Sequence, residues 1–188
     1  MGVPTGGGVD LPPDPCLAFL GGYPAALLDP VRARLADGSL GTALARRYPE
    51  AHTIRSDGAL YEHVSALKAR HLRHAPALAK VAYDNRLQID QRALGTLTAV
   101  SRVQGGRLTA KREVRVAAVF KDAPAAMLQM IVVHELAHLK ERAHDKPFYA
   151  LCEHMLPGYH QVEFDTRVWL AWRAAGGVPT PSASSPAA

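Results

Sequence analysis

The sequence predicts an α+β fold in which a short sheet packs on one buried helix, with further helices in the N-terminal and C-terminal parts of the chain. Val114, Val116, Ala118 and Phe120 occupy every second position, which is typical of a strand with one apolar face. The segment 124–139 that follows is apolar on nearly all sides of a helix, so we expect it to be buried. Apolar residues at helical spacing before and after this core predict the remaining helices.

The composition is that of a globular domain. The 188 residues are 48% hydrophobic, which is enough for one domain with a sizeable core, expected at residues 16–174. The Gly/Pro-rich segment 1–15 is predicted to be a flexible tail, and the Pro/Ser/Ala-rich segment 175–188 a disordered one. No apolar run is long enough to span a membrane and the N-terminus lacks a signal-peptide pattern, so we expect no membrane partner and a cytoplasmic location.

The first part of the domain is predicted to be helical. Segments 25–36, 41–48 and 57–73 carry apolar residues at helical spacing. Pro30 indicates a helix start because proline suits the first turn, and Asp57 is a suitable cap for the third helix.

The middle of the domain changes to the alternation of strands. Short apolar runs separated by polar or glycine-containing turns predict strands at 81–83, 87–89, 97–103 and 112–120. The last of these leads directly into the apolar helix.

That helix contains His134-Glu135-Leu136-Ala137-His138, the His-Glu-x-x-His pattern of many zinc hydrolases. Residues four apart lie on one face of a helix, so both imidazoles can bind one Zn²⁺. Glu135 lies beside that face and can take a proton from a zinc-bound water as general base. The sequence therefore predicts a zinc site with His134 and His138 as metal ligands and Glu135 as the catalytic residue.

Two more helices are predicted after this motif. The segment 147–156 has a buried stripe at helical spacing, with Asp145 as its cap and Pro157-Gly158 as its end. A last helix is predicted from about residue 159 to residue 172.

A catalytic zinc needs a third protein ligand, and His144 is the favoured candidate. On a continuous helix His144 would lie about 120° away from the two ligand histidines, so the chain must leave helical geometry between Lys140 and Ala143. The alternatives on the later helices are Glu153, His154, His160 and Glu163.

Four stretches of the sequence together resemble a known family. They are FLGGYP at 19–24, AVSRVQGG at 99–106, VVHELAHLKE at 132–141 and EFDTR at 163–167. Over about residues 17–172 the chain closely resembles the bacterial YgjP-like metallopeptidase-domain family, some of whose members are called UTP pyrophosphatases. The resemblance implies a small zincin-like α+β domain with His134, His138 and His144 as zinc ligands and Glu135 as base.

We therefore predict a zinc-dependent metallopeptidase that acts on a peptide or protein substrate. An oxyanion partner is not evident from the sequence, and four residues are candidates for it: Arg115, Tyr149, Tyr159 and His160. The oligomeric state does not follow from the sequence.

Two other functions stay open. One is a nucleotide (UTP) pyrophosphatase, for which the sequence offers phosphate-binding candidates at Arg102, Arg107, Lys111, Arg112 and Arg115. The other is a binding protein without catalysis. The net charge of +5 permits a nucleic-acid ligand, but no recognised nucleic-acid motif supports one.

Overall fold

The computed structural model describes residues 18–87, 95–104 and 107–179, and of residues 95–104 and 107–111 it describes the backbone alone. The helices are α1 (Ala25–Ala36), α2 (Leu40–Arg47), α3 (Asp57–His71), α4 (Ala125–Ala137), α5 (Lys146–Met155) and α6 (Tyr159–Ala174). The strands are β1 (Leu78–Asp84), β2 (Gly95–Gln104) and β3 (Arg107–Ala117). The protein is thus a small α+β domain, as predicted. The predicted tails fall largely outside the described residues and stay predictions.

The sheet has the strand order β1-β3-β2, with β1 parallel and β2 antiparallel to β3. Val114 of β3 pairs with Val81 of β1 and with Leu97 of β2, so the strand with the strictest alternation lies at the centre of the sheet. Both Val114 and Val116 are fully buried, as expected for the apolar face. Within β2 the predicted strand 97–103 is confirmed.

One strand prediction is wrong at its end, and another lies mostly outside the described residues. The predicted strand 112–120 ends at Ala117, because Ala118–Asp122 forms a 3₁₀ turn that inserts the buried side chain of Phe120 into the core. Ala117 and Phe120, three residues apart, are the buried residues here, as the period of a 3₁₀ turn requires, and Ala118 is only partly buried. The predicted strand 87–89 lies mostly outside the described residues, and Leu87 itself follows a turn.

The N-terminal helices confirm the predicted segments, but Pro30 does not start the first helix and Asp57 does not cap the third. Helix α1 begins at Ala25, so Pro30 lies inside it and is not its first residue. Ser56, not Asp57, caps α3, because its Oγ accepts a hydrogen bond from the Ala59 N–H at 3.2 Å. The Asp57 carboxylate accepts instead from the backbone N–H of Tyr83 at 2.9 Å, which ties the start of α3 to β1.

Helix α4 is the centre of the fold. It begins after Pro124, and its residues from Met130 to Ala137 are all buried, so the prediction of a helix apolar on nearly all sides is confirmed. It packs against α5, α6, α3 and the sheet. Its C-terminal end, where the motif lies, therefore faces the two last helices.

The turn between α5 and α6 is built on Gly158. Its φ of 80° is in the left-handed region, which glycine adopts without a steric penalty. Its N–H donates to the Glu153 carboxylate at 2.7 Å, so the turn is also held by a side chain of α5. Tyr159, the next residue, is fully buried at the start of α6. Among the described helices, none is long and apolar enough to cross a membrane.

Candidate metal centre

The last turn of α4 positions the first two histidines. His134 is buried and His138 half-buried, and their rings are 5.0 Å apart between centroids. The rings are close because residues four apart lie on one face of a helix, and the other faces of this helix pack in the core. Helix α4 ends here, with His138 as its C-terminal cap residue.

The chain then leaves helical geometry where the sequence requires it to do so. The N–H groups of Lys140 and Glu141 both donate to the Ala137 carbonyl, at 3.0 and 2.9 Å, and close a tight turn after the helix. No described residue other than glycine has a positive φ, so this turn uses ordinary backbone conformations. The turn returns His144 to the other two imidazoles, and Asp145 then begins α5.

Together, His134, His138 and His144 form the group of possible metal ligands in the described part of the chain, with ligand atoms all within 4.8 Å of one another. The Nε2 atoms of His134 and His144 are 3.1 Å apart. Two nitrogens on one tetrahedral zinc, each about 2.0–2.1 Å from the metal, would be about 3.3 Å apart. The donor set and its spacing thus fit a single metal ion.

The alternative ligands lie elsewhere. The Glu153 carboxylate accepts from Gly158, and Glu163 pairs with Arg167 at 3.0 Å. His154 packs edge-on against His71, and the ring of His160 lies tilted on that of Tyr149. None of these four side chains belongs to the histidine group.

The Nδ1 atoms of the two α4 histidines have partners of their own. His138 Nδ1–H donates to the Glu141 carbonyl at 3.0 Å, since a carbonyl can only accept. His134 Nδ1 is 2.7 Å from the hydroxyl of Tyr159. Because Nδ1 is engaged in both rings, Nε2 is the atom that each ring presents to the group.

Phe148 forms an apolar wall behind the group. Its fully buried ring lies 5.0, 4.6 and 4.7 Å, between centroids, from the rings of His134, His138 and His144 respectively. The Phe148 N–H donates to the Asp145 side chain at 3.2 Å, so the predicted cap of α5 also fixes this wall. His144 itself is exposed, so the group opens to solvent on its side.

Burial keeps both α4 histidines neutral. It is the largest cause that lowers the pKa of His134 to about 3, and the neighbouring His138, His144 and Arg167 lower it further. Burial also lowers the pKa of His138. Neutral imidazole is the form that binds a metal.

Glu135 is almost completely buried, with 1% of its surface exposed. Its Oε2 has no hydrogen-bond partner among the residues that the structure describes. Burial raises the pKa of this carboxyl to about 8. A buried carboxyl oxygen without a partner is unusual in a folded protein, and here it belongs to the residue that directly follows His134 in the sequence.

The structure separates the four oxyanion candidates. Tyr159 is bound to His134, and Arg115 is bound to Asp84 at 3.0 Å. Tyr149 is half-buried, with its ring 6.5 Å from that of His144, and the exposed His160 packs on it. Of the phosphate-binding candidates, Arg112 is partly buried, and the side chains of Arg102, Arg107 and Lys111 lie outside the described part of the chain.

Sequence reasoning missed the roles of Phe148 and Tyr159. Phe148 was recognisable only as a member of the apolar stripe of α5. Tyr159 is 25 residues from His134 and reaches it through the packing of α6 on α4, which no spacing rule records. The one signal near it is Pro157-Gly158, which marks the turn.

Comparison with known proteins places this geometry in context. The family profile described as YgjP-like, metallopeptidase domain, matches residues 97–166, which include all three histidines. The UTP pyrophosphatase of Escherichia coli (strain K12) is 54% identical over 160 residues, which cover 85% of this chain and 96% of that protein. No solved structure matches the chain significantly.

Proposed function

Because this chain belongs to the YgjP-like family, we propose that it is a zinc-dependent hydrolase in which His134, His138 and His144 hold the metal. The observation that carries the proposal is the convergence of three imidazole nitrogens within 4.8 Å of one another beside a buried glutamate. Three histidines and an open position are the ligand set of catalytic zinc. The exposed side of His144 gives a substrate access to that position.

Glu135 is the general base in this proposal. Bound zinc would supply a Lewis acid that lowers the pKa of water and polarises the bond to be cleaved. Glu135 then takes the proton of the attacking water on Oε2, the atom that lacks a protein partner. A nearby dication would also lower the raised pKa of Glu135, so that the carboxylate form is available at neutral pH.

The chain's own hydrogen bonds orient the histidines. The Glu141 carbonyl and the Tyr159 hydroxyl engage the two Nδ1 atoms, and the Phe148 ring packs against all three imidazoles. Preorganised ligands of this kind are a recurrent feature of metal sites.

UTP is the first substrate to be tested, and its phosphoanhydride is the bond that would be cleaved. The observation that favours it is the 54% identity to a protein named UTP pyrophosphatase, over nearly the full length of that protein. Hydrolysis of peptide bonds is the second candidate, favoured by the His-Glu-x-x-His arrangement and by the description of the family domain as a metallopeptidase.

The experiment that tests the proposal compares Glu135→Gln with wild type after both are reconstituted with one equivalent of zinc. The amide cannot accept a proton, so kcat should fall about 10²- to 10⁴-fold while zinc content and thermal stability are kept. Nucleotide products from UTP are measured by ion-exchange chromatography, and peptide release from an unfolded protein is measured in parallel.

The matched control is Glu153→Gln, which makes the same chemical change in a carboxylate bound to Gly158 outside the histidine group. It should retain activity. If wild type and Glu153→Gln hydrolyse UTP and Glu135→Gln does not, the substrate is UTP. If wild type cleaves only the unfolded protein, the substrate is a peptide. Hydrolysis of neither by the zinc-loaded wild type, or full activity of Glu135→Gln, contradicts the proposal.

A further inference from the structure

A cleft lies between α1, α2 and α6, with residues of all three helices in its walls. Its volume of about 590 Å³ is within the usual range of small-molecule binding sites. The buried side chains of Leu40, Leu44 and Val168 contribute to its lining and make its floor apolar. The cleft therefore has the size and the kind of surface that suit a small ligand with an apolar part.

The cleft and the metal centre lie on different faces of α6. Tyr159, whose hydroxyl is 2.7 Å from His134 Nδ1, is the first residue of that helix. Phe164 and Val168 line the cleft, and at about 100° per residue they lie about 140° and about 180° around the helix from Tyr159. A ligand in the cleft would therefore be separated from the metal ligands by α6, and its binding does not depend on the proposed function.

Helix α1 forms one wall of the cleft with a face that the core does not cover. Leu28 is the buried residue of α1, whereas Leu27, Pro30 and Val31 line the cleft. Leu27 is 50% exposed and Val31 is partly buried, so both side chains are accessible from the cleft. The wall thus adds apolar contact surface to that of the floor.

The polar part of the lining is positively charged. Arg34 of α1 and Arg46 and Arg47 of α2 contribute guanidinium groups. The acidic residue in the lining, Asp165, is buried, and its carboxylate is bound by Arg47 at 3.0 Å and by the Tyr48 hydroxyl at 2.6 Å. Arg34 and Arg46 are exposed, and within the described part of the chain neither of them has a salt-bridge partner. Two positive charges beside the apolar floor are therefore available to an anion.

We propose that this cleft binds a small amphipathic anion, which is an apolar chain or ring that carries a carboxylate or a phosphate. The apolar part packs on Leu40, Leu44 and Leu27, and Arg34 and Arg46 supply the charge that attracts the anionic head. A guanidinium group suits either head, because it can donate two parallel hydrogen bonds to a carboxylate or to a phosphate. A neutral or cationic ligand of the same shape would leave both arginines without a counter-charge.

The first test titrates the full chain with decanoate and with decyl phosphate in a calorimeter, each below its micelle concentration. Wild type should bind one equivalent of at least one of the two anions, and comparison of the two identifies the preferred head. Decyltrimethylammonium and decyl maltoside carry the same chain on a cationic and a neutral head. Both should bind at least about 10-fold more weakly, because they cannot accept a charge-assisted hydrogen bond from an arginine through an anionic group.

The second test removes the charges one at a time. Arg34→Gln and Arg46→Gln should each weaken binding of the preferred anion about 10-fold, which corresponds to one hydrogen bond to a charged group. The matched control is Arg32→Gln on the same helix, because Arg32 pairs with Asp29 at 3.0 Å and does not line the cleft. Its affinity should equal that of wild type. Leu27→Glu places a carboxylate on the wall of the cleft and should abolish binding of both anions.

Several outcomes would overturn the proposal. It is wrong if wild type binds neither anion, if the neutral or the cationic compound binds as tightly as the anions, or if Arg34→Gln and Arg46→Gln both bind like Arg32→Gln. If neither anion binds and Leu27→Glu converts a dimer to a monomer in sedimentation experiments, the cleft is an interface between two copies of the chain. Should Leu27→Glu fail to fold, the arginine variants decide the matter, because their side chains are exposed.

Discussion

His144 differs from the other two imidazoles in its surroundings. It lies on an exposed loop, whereas His134 and His138 are held on α4. Its place in the group therefore depends on the tight turn after Ala137 and on the ring of Phe148, which it contacts edge-on at 4.7 Å. We therefore expect loss of the His144 imidazole to lower the metal affinity strongly and to change the stability of the fold little.

We predict that His144→Ala lowers zinc affinity by more than about 100-fold, beyond the range of outer-shell changes, because two imidazoles from one helix remain. Chelator competition measures this change. The control is His154→Ala, an exposed histidine of α5 outside the group, which should bind zinc like wild type. Equal affinities of the two variants would show that His144 is not a ligand.

His52 is a second histidine with a structural task, far from the metal centre in sequence. Its Nδ1 accepts from the Ile54 N–H at 3.1 Å, and its Nε2–H donates to the Phe120 carbonyl at 2.9 Å. The bond from Ile54 needs the neutral ring, because a protonated ring still donates from Nε2 but has no lone pair on Nδ1. Burial is the largest cause that lowers the pKa of His52 below its usual value of 6.5.

The sign of the pH effect follows from this shift. The unfolded chain takes up a proton on His52 near pH 6.5, and the folded chain does so only at lower pH. The stability from the neutral ring is therefore complete above pH 6.5 and is lost as the pH falls below it.

We predict that thermal unfolding of wild type shifts to lower temperature between pH 7 and pH 5, and that His52→Ala lowers stability by about 1–3 kcal/mol at pH 7 and reduces the pH dependence. Calorimetry of both proteins, with the exposed His74→Ala as control, measures it. Parallel pH profiles of wild type and His52→Ala would contradict the prediction.

At the scale of elements, we expect the loss of the α5 cap to affect metal binding and the loss of the similar α3 cap not to do so. Asp145 Oδ1 accepts from the Phe148 N–H at the start of α5, and Ser56 Oγ accepts from the Ala59 N–H at the start of α3, both at 3.2 Å. Only the α5 cap lies next to a candidate ligand and fixes the aromatic wall behind the histidines. Removing either cap thus takes away one equivalent hydrogen bond, but only removal of the Asp145 cap also affects the surroundings of the histidines.

We predict that Asp145→Ala and Ser56→Ala each lower the free energy of unfolding by about 1 kcal/mol, since each removes one cap. Only Asp145→Ala should also weaken zinc binding, because α5 then no longer holds His144 and Phe148 in place. Urea unfolding and chelator competition measure the two effects. Equal zinc affinities would mean that the α5 cap serves the helix alone.

At the scale of the whole molecule, the metal would join α4 to the loop that precedes α5. We predict that chelation lowers the unfolding temperature and that zinc at 100 times its dissociation constant stabilises the fold by at most about 2.7 kcal/mol. Scanning calorimetry with and without zinc measures this, and His144→Ala should show little response. An unfolding temperature that does not depend on zinc would contradict it.

The parts of the fold that were predictable are those decided by neighbours in sequence. Helix α4 and the pairing of His134 with His138 follow from apolar periodicity and a four-residue spacing. The cap of α3 was assigned to Asp57 because serine and aspartate are equally good caps, and the choice depended on where Tyr83 of β1 lies. The 3₁₀ turn at Phe120 does not follow from the sequence, because its apolar residues fit both the period of two of a strand and the period of three of the turn.

The contacts made by distant residues were not predictable in this way. Tyr159 and Phe148 complete the surroundings of the histidines, but each does so through the packing of a whole helix on α4. The spacing made His144 the favoured third histidine but left four alternatives open, and the partner of each Nδ1 atom required the structure.

That contrast also bears on how strongly a metal can stabilise this protein. The three imidazoles lie between residues 134 and 144, a short stretch of chain. A segment this short can bring the same rings together without a folded domain around it, so we expect the unfolded chain to keep some affinity for zinc. The stabilisation by zinc would then depend on the ratio of its affinities for the folded and the unfolded chain, because binding to the unfolded chain offsets part of the stabilisation of the folded one. We therefore expect zinc to favour the folded state through the preorganisation contributed by Tyr159 and Phe148, which lie outside the ligand segment, more than through the ligands themselves.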